Sequence, residues 1–148
     1  MLCAPLFIDK KTLPKNIFTS KKPPSISIQS YFERIIKYSK IEESTLIVTL
    51  IYIDRLCDFS QLVLTEFNIH RYKIIYIKFR VILAAVVLGI KYNEDDYYSN
   101  EYYAKVGGVS LQEINVLELE AVLALRHTLF VDEEFFNKYK IYLKHYLK

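Results

Sequence analysis

The chain reads as all-α, on three observations. It holds only three glycines and four prolines in 148 residues, two of the glycines being adjacent, so it lacks the turn chemistry of a strand-rich fold. Its apolar residues recur at spacings of three and four. Helix punctuation is explicit, with capping serines, a capping box at Ser110–Glu113 and a Gly107-Gly108 stop. At 52% hydrophobic residues one domain can bury a real core.

The first helix is predicted over Ile28–Lys40. Ser27 caps it, and Ile28, Tyr31, Phe32, Ile35 and Ile36 form one stripe. A second runs from about Glu43 to Cys57, rich in Leu46, Ile47, Leu50, Ile51 and Ile53; its length favours helix over strand. Asn68 caps a third that ends near Lys91, and between Val81 and Ile90 it is apolar on every side, the mark of a buried helix. A short fourth helix, about Asn100–Val106, ends at Gly107, expected in the left-handed C′ conformation. The fifth opens on the Ser110-Leu111-Gln112-Glu113 capping box and runs to about Arg126, with Leu111, Ile114, Leu117, Ala121, Val122 and Leu125 in one sector. A sixth follows Asp132, with Glu133 and Glu134 in its first turn and Lys138, Lys140, Lys144 and Lys148 later, an order that suits the helix dipole.

Charge is distributed unevenly. Residues 1–24 carry five lysines against one aspartate and read as a basic, poorly ordered leader of net +4. The chain total is +3, which leaves −1 for residues 25–148, the predicted domain. A broad phosphate-binding face, and with it a nucleic-acid partner, is therefore not expected. Ile74–Ile90 is too short in its clean apolar part, and too charged at Lys78 and Arg80, for a membrane span of roughly 20 residues. Cys3 and Cys57 share no motif and read as free thiols, and no apolar signal segment is evident at the start. The expected location is cytoplasmic, nuclear or both.

No catalytic constellation emerges. His70, His127 and His145 lack ligand spacing, Glu94-Asp95-Asp96 lacks that of a calcium loop, and GxSxG, P-loop and GxGxxG motifs are absent. No metal or cofactor is expected. Asp54-Arg55 reads as a buried polar tie in the core. Glu118 falls inside the apolar sector of the fifth helix, as a rim glutamate, an internal ion-pair member or a carboxylate presented to a partner's N–H groups. Lys91 closes the most apolar helix, complementing its dipole or donating to a partner's carbonyls.

Read together, several segments resemble the P-type cyclins, also called U-type or phosphate-system cyclins. Ser25-Ile26-Ser27-Ile28 leading into Tyr31-Phe32-Glu33-Arg34-Ile35 is like that family's first helix. Ile51-Tyr52-Ile53-Asp54-Arg55-Leu56 is similar to its Y-I-D-R helix. Leu64-Thr65 followed by Asn68-Ile69-His70-Arg71 is similar to the start of its third. Tyr102-Tyr103-Ala104-Lys105-Val106-Gly107-Gly108-Val109-Ser110 is the most specific match, and Leu117-Glu118 with Leu129-Phe130-Val131 resembles the close. The likeness covers about residues 25–140. It implies a single cyclin box, five helices around a buried third with a flanking C-terminal helix. It also implies a non-catalytic regulatory subunit that binds and activates a cyclin-dependent protein kinase. Lys91 and Glu118 match the lysine and glutamate with which cyclins contact backbone around the kinase's regulatory helix. The alternative within the same fold is an adaptor in transcription or nucleic-acid binding.

One departure stands out. In the family the H-R start runs directly into the apolar part of the third helix, whereas here Tyr72–Arg80, YKIIYIKFR, separates Arg71 from Val81. Nine extra helical residues add about 13.5 Å and turn what lies beyond them by about half a turn. Two readings stay open: a genuine insertion, which loops out or shifts the helix start, and a retained short intron. The flanking arginines permit a coding in which a segment beginning GT and ending AG can be excised to restore one arginine codon. If translated, Ile74, Ile75, Tyr76, Ile77 and Phe79 are not all expected to reach one small core.

Overall fold

The computed structural model describes residues 26–67 and 71–146, with the side chains of 57–67 and 71–77 outside that description. It contains six helices: α1 (Ile28–Ser39), α2 (Glu43–Phe67), α3 (Arg71–Asn93), α4 (Asn100–Gly107), α5 (Leu111–Ala124) and α6 (Glu133–Tyr146). Among the described residues there is no strand, as the sequence predicts. Residues 1–24, read as a leader, lie outside the description, as does Asn68, read as a helix cap.

α3 is the centre. Every residue from Phe79 to Ile90 is buried. α1, α2 and α5 pack against α3, α4 rests on α1 and α5, and α6 lies along α2. Full burial of each aliphatic side chain in that run contributes roughly 1.5–3 kcal/mol. The long run therefore dictates that helices surround α3 rather than stack on one side.

Local chemistry sets the helix ends. Ser27 Oγ accepts from Ser30 N–H at 3.1 Å, and Lys40 closes α1 in the left-handed region at φ 53°. Ser110 Oγ accepts from Glu113 N–H at 3.0 Å. The Glu113 carboxylate forms an ion pair with Arg80 instead of completing the capping box. Asp132 Oδ1 takes the Phe135 N–H at 2.8 Å, so α6 starts where its acidic first turn predicts. The turn after α5 places two non-glycine residues, Arg126 and His127, at φ 53° and 57°, each costing on the order of 1–2 kcal/mol. Backbone bonds from Arg126 N to Leu123 O and from His127 N to Val122 O, both 3.0 Å, hold them there.

Several expectations are corrected. α2 continues to Phe67, well past Cys57. The nine residues 72–80 neither loop out nor break α3 but form its first turns. Of the five apolar residues not all expected in the core, Phe79 is buried there, meeting Tyr31 edge to face at 4.6 Å, which leaves that expectation standing; the side chains of Ile74, Ile75, Tyr76 and Ile77 lie outside the described residues. Leu111, expected in the apolar sector of the fifth helix, is 47% exposed. Asp54 and Arg55 are not a buried tie. Consecutive helical residues point about 100° apart, and each reaches its own C-terminal partner. Tyr139 donates to Asp54 Oδ2 at 2.6 Å, and Arg55 Nη1 donates to Thr128 O at 3.2 Å.

Tyrosines tie the helices together through their tips. Tyr31 donates to Gly107 O at 3.0 Å, Tyr52 to Leu129 O and Tyr102 to Tyr38 O at 2.8 Å. Tyr103 Oη accepts the Tyr98 N–H at 3.0 Å. Burial, first among the causes, pushes the Tyr31 phenol up to about 12 from 10.0. Burial likewise raises Tyr52, Tyr103 and Tyr139, the last also through its bond to Asp54.

Two expected outcomes follow from this architecture. These phenols hold their protons more tightly folded than unfolded, so their contribution is whole below the unfolded value of 10.0 and declines as the pH climbs toward about 12. The urea midpoint should be flat at mildly alkaline pH and fall steadily above about pH 10, with a shallower fall in Tyr31→Phe; an equally steep fall in that variant would contradict the assignment. Second, deleting residues 72–80 should leave a folded protein. Arg71 would then directly precede Val81 and inherit the pairing with Glu113. Circular dichroism and urea titration of the deletion, with and without Arg71→Ala, test this. The arginine change should cost about 3–5 kcal/mol as the loss of one partner from a buried pair.

Candidate functional site

α3 ends its burial at Ile90, and the next residue, Lys91, emerges beside the middle of α5. There it meets Glu118. Lys91 Nζ lies 2.9 Å from Oε1 and 3.0 Å from Oε2, and both side chains are 24% exposed. The sequence singles out each residue separately; the fold joins them. A partly exposed pair of this kind adds little to stability, roughly 0–1 kcal/mol. It presents a charged donor and a charged acceptor side by side at the surface. An ammonium has three N–H donors and a carboxylate about four acceptor sites, so the pair retains capacity for a second set of partners.

Four further residues near the site were missed by sequence reasoning. Asn100, the first residue of α4, donates to Glu118 Oε2 at 2.8 Å. The Tyr97 ring lies 5.9 Å from Lys91 Nζ. On α5, Leu119 and Leu123 are 61% and 55% exposed, one helical turn apart. They lie about 100–140° round the helix from Glu118. A run of leucines around the helix was the available signal. The periodicity hid it, since an amphipathic reading counts only the inner face.

The tyrosine and Gly-Gly signature is scaffolding for this geometry. Tyr102, Tyr103 and Ala104 fasten α4 by the two tyrosine bonds described and by Ala104 burial. Lys105 is exposed and makes only a loose pair with Glu101 at 3.8 Å, and Val106 packs on the core edge. The glycine doublet has two different causes. The left-handed residue is Gly108, at φ 69°, rather than Gly107. Gly108 N–H reaches Lys105 O at 3.4 Å and Val109 N–H reaches Ala104 O at 3.0 Å, a Schellman closure. Gly107 is required by contact instead, since a Cβ there would fall 2.4 Å from Leu83 Cδ2. α4 thus touches the buried helix closely enough to fix the span between Lys91 and Glu118.

The acidic turn has a structural task as well. Glu94 Oε1 accepts the Glu42 N–H at 2.9 Å, tying the end of α3 to the start of α2. Among the described residues no helix is long and apolar enough to cross a membrane.

Comparison with known proteins now decides the family. The Cyclin family model matches residues 6–129. The chain belongs to the cyclin family. It is similar to Cyclin-U4-1 of Arabidopsis thaliana, 38% identical over 130 residues that make up 87% of this chain and 60% of that protein. Cyclin-P3-1 of Oryza sativa subsp. japonica is 34% identical over 128 residues, 86% of this chain and 50% of that one. The PHO85 cyclin-like protein psl1 of Schizosaccharomyces pombe is 36% identical over 128 residues, 85% and 49% of the two chains. The chain thus spans from about half to three fifths of the length of these relatives. The matched cyclin residues include most of the segment read as a leader and stop before α6.

The two glycines of this cyclin should respond differently to the same change. Gly107→Ala should be the more damaging, by about 1–3 kcal/mol, because the added methyl must displace the buried Leu83. Gly108→Ala should cost about 1 kcal/mol, the strain of a left-handed alanine. Urea denaturation of both variants checks the order, and in a Leu83→Ala background Gly107→Ala should cost less than it does alone, the signature of a relieved clash.

Proposed function

We propose that this cyclin is a non-catalytic regulatory subunit that binds and activates a cyclin-dependent protein kinase, using Lys91 and Glu118 as its polar contacts. The observation that carries this reading is the Lys91–Glu118 pair, built from two helices and open to solvent on one side, with both side chains 24% exposed. An ammonium and a carboxylate held together can grip the backbone of a partner segment at two points. The lysine donates to carbonyl oxygens and the glutamate accepts from N–H groups, with no bond made or broken. Hydrogen bonds to charged groups contribute about 1.5–3 kcal/mol each. Family membership supports the same reading, as does the relative whose name describes it as PHO85 cyclin-like.

Activation follows if the gripped segment must hold one position for the kinase to work. A rigid surface that binds only that position draws the kinase into it by differential affinity. Rigidity is what the all-round burial of α3 and the close seating of α4 give the pair.

In a capture assay with purified cyclin-dependent kinases, Lys91→Ala combined with Glu118→Ala should weaken binding by at least about a hundredfold, equivalent to ~2.7 kcal/mol. The far-ultraviolet circular dichroism should stay that of the parent. A folded double variant that captures kinase as well as the parent would exclude this site.

A further inference from the structure

Asn100 sits at the first position of α4, directly after the Ser99 cap, whose Oγ accepts the Tyr102 N–H at 3.3 Å. Its side-chain nitrogen faces two acceptors. Nδ2 lies 2.8 Å from Glu118 Oε2 and 2.7 Å from Asn115 Oδ1. The orientation of the amide is set by chemistry, because an ionised carboxylate only accepts and must face the NH₂. The other end is left without support: Asn100 Oδ1 is fully buried and has no hydrogen-bond partner. A buried acceptor without a donor is costly. A side chain chosen only to start a helix would not need to incur that cost.

We propose that Asn100 is a positioning residue for the contact pair, holding the Glu118 carboxylate in register with Lys91 and thereby setting the affinity for the partner kinase. This rests on the reading of Lys91 and Glu118 given above. Both side chains are long, and an ion pair at the surface can be satisfied in many geometries. A third group on a third helix removes that freedom. Lys91 comes from α3, Glu118 from α5 and Asn100 from α4, so the carboxylate is fixed from two directions before any partner arrives. Freedom removed in advance is not lost on binding, which is how preorganisation raises affinity. The charged groups near Asn100 are Glu118 from α5, Lys91 from α3 through it, and the exposed Glu101–Lys105 pair on its own helix.

The test uses the full chain with ¹³C,¹⁵N-labelled lysine, the Lys91 side-chain signal being assigned by its disappearance in Lys91→Arg. In the free protein Asn100→Ala should move that signal toward those of the exposed lysines. It should also weaken capture of a purified cyclin-dependent kinase by about tenfold, the loss expected of one charge-assisted hydrogen bond. Asn115→Ala, which leaves the bond to Glu118 in place, should do neither. Asn100→Asp provides the readout that a purely structural role would not move. At neutral pH it sets a second carboxylate against Glu118 and should bind poorly. As the pH falls toward about 5 the facing carboxylates share a proton, the O–H replaces the lost N–H, and binding should recover. Asn100→Ala should show no such recovery. An unmoved Lys91 signal in Asn100→Ala would overturn the positioning role whatever the kinase does. A moved signal with unchanged kinase affinity, where Lys91→Ala and Glu118→Ala do abolish binding, would overturn its bearing on affinity. If those two substitutions leave binding intact, the reading of the site fails, and the labelled-lysine signal still decides whether Asn100 holds the pair.

Discussion

From Phe79 to Ile90, α3 has no side that faces water. That condition constrains everything else. A helix buried all round needs neighbours on every side, and α1, α2 and α5 meet it with α4 wedged between two of them. Close approach is needed where two of these contacts form. A Cβ on Gly89 would fall 2.4 Å from Thr49 Oγ1 on α2, as one on Gly107 would from Leu83. Two glycines at two crossings let α2 and α4 come near enough to seal the run. Lys91 is the first side chain past the seal, and its position follows from where the burial stops.

Tyrosine suits this architecture for a related reason. Helices gathered around a central rod leave connections at both ends, whose backbone groups need partners. A phenol can bury its ring and still deliver a polar tip to such a group. Tyr31, Tyr52 and Tyr102 each donate to a carbonyl far away in sequence, and Tyr103 accepts an N–H from the connection before α4. These four tyrosines are thus less a recognition surface than a set of ties between helix and loop. Burial accounts for the raised phenols of Tyr31, Tyr52 and Tyr103, since a phenolate in a dry place loses its hydration.

Much of this was legible in the residues, and the failures have physical causes. Caps are local chemistry, so Ser27, Ser110 and Asp132 mark starts that the structure keeps. The end of α2 was not legible because Asp58–Phe67 contains neither glycine nor proline. A helix without a breaker stops where packing ends, which only the fold decides. The glycine doublet announced a stop but not which glycine turns left-handed; Leu83, more than twenty residues upstream, settles that. Asp54 and Arg55 looked like a pair because they are adjacent in text, whereas on a helix adjacency means divergence. Lys91 and Glu118 stood out as a charge at the end of an apolar helix and a charge within an apolar face. Their meeting depends on two helices whose relative placement no local pattern encodes. Asn100 gave no signal, since asparagine near a helix start is ordinary.

The nine residues before Val81 show how register is decided in such a helix. A helix holds register from the end that is locked, and here the lock is the buried run. Counting back from Val81, the position immediately before it belongs to Arg80, which is buried and paired with Glu113 on α5. In an uninterrupted H-R-to-apolar sequence the same place would fall to the arginine of that motif. The extra turns therefore displace only what lies N-terminal to Arg80. The rotation by about half a turn that nine residues bring falls on Arg71 and the chain before it, and leaves the face that meets α5 untouched. Burial locks the helix downstream of the added turns, so Lys91 arrives beside Glu118 whether or not those turns are present.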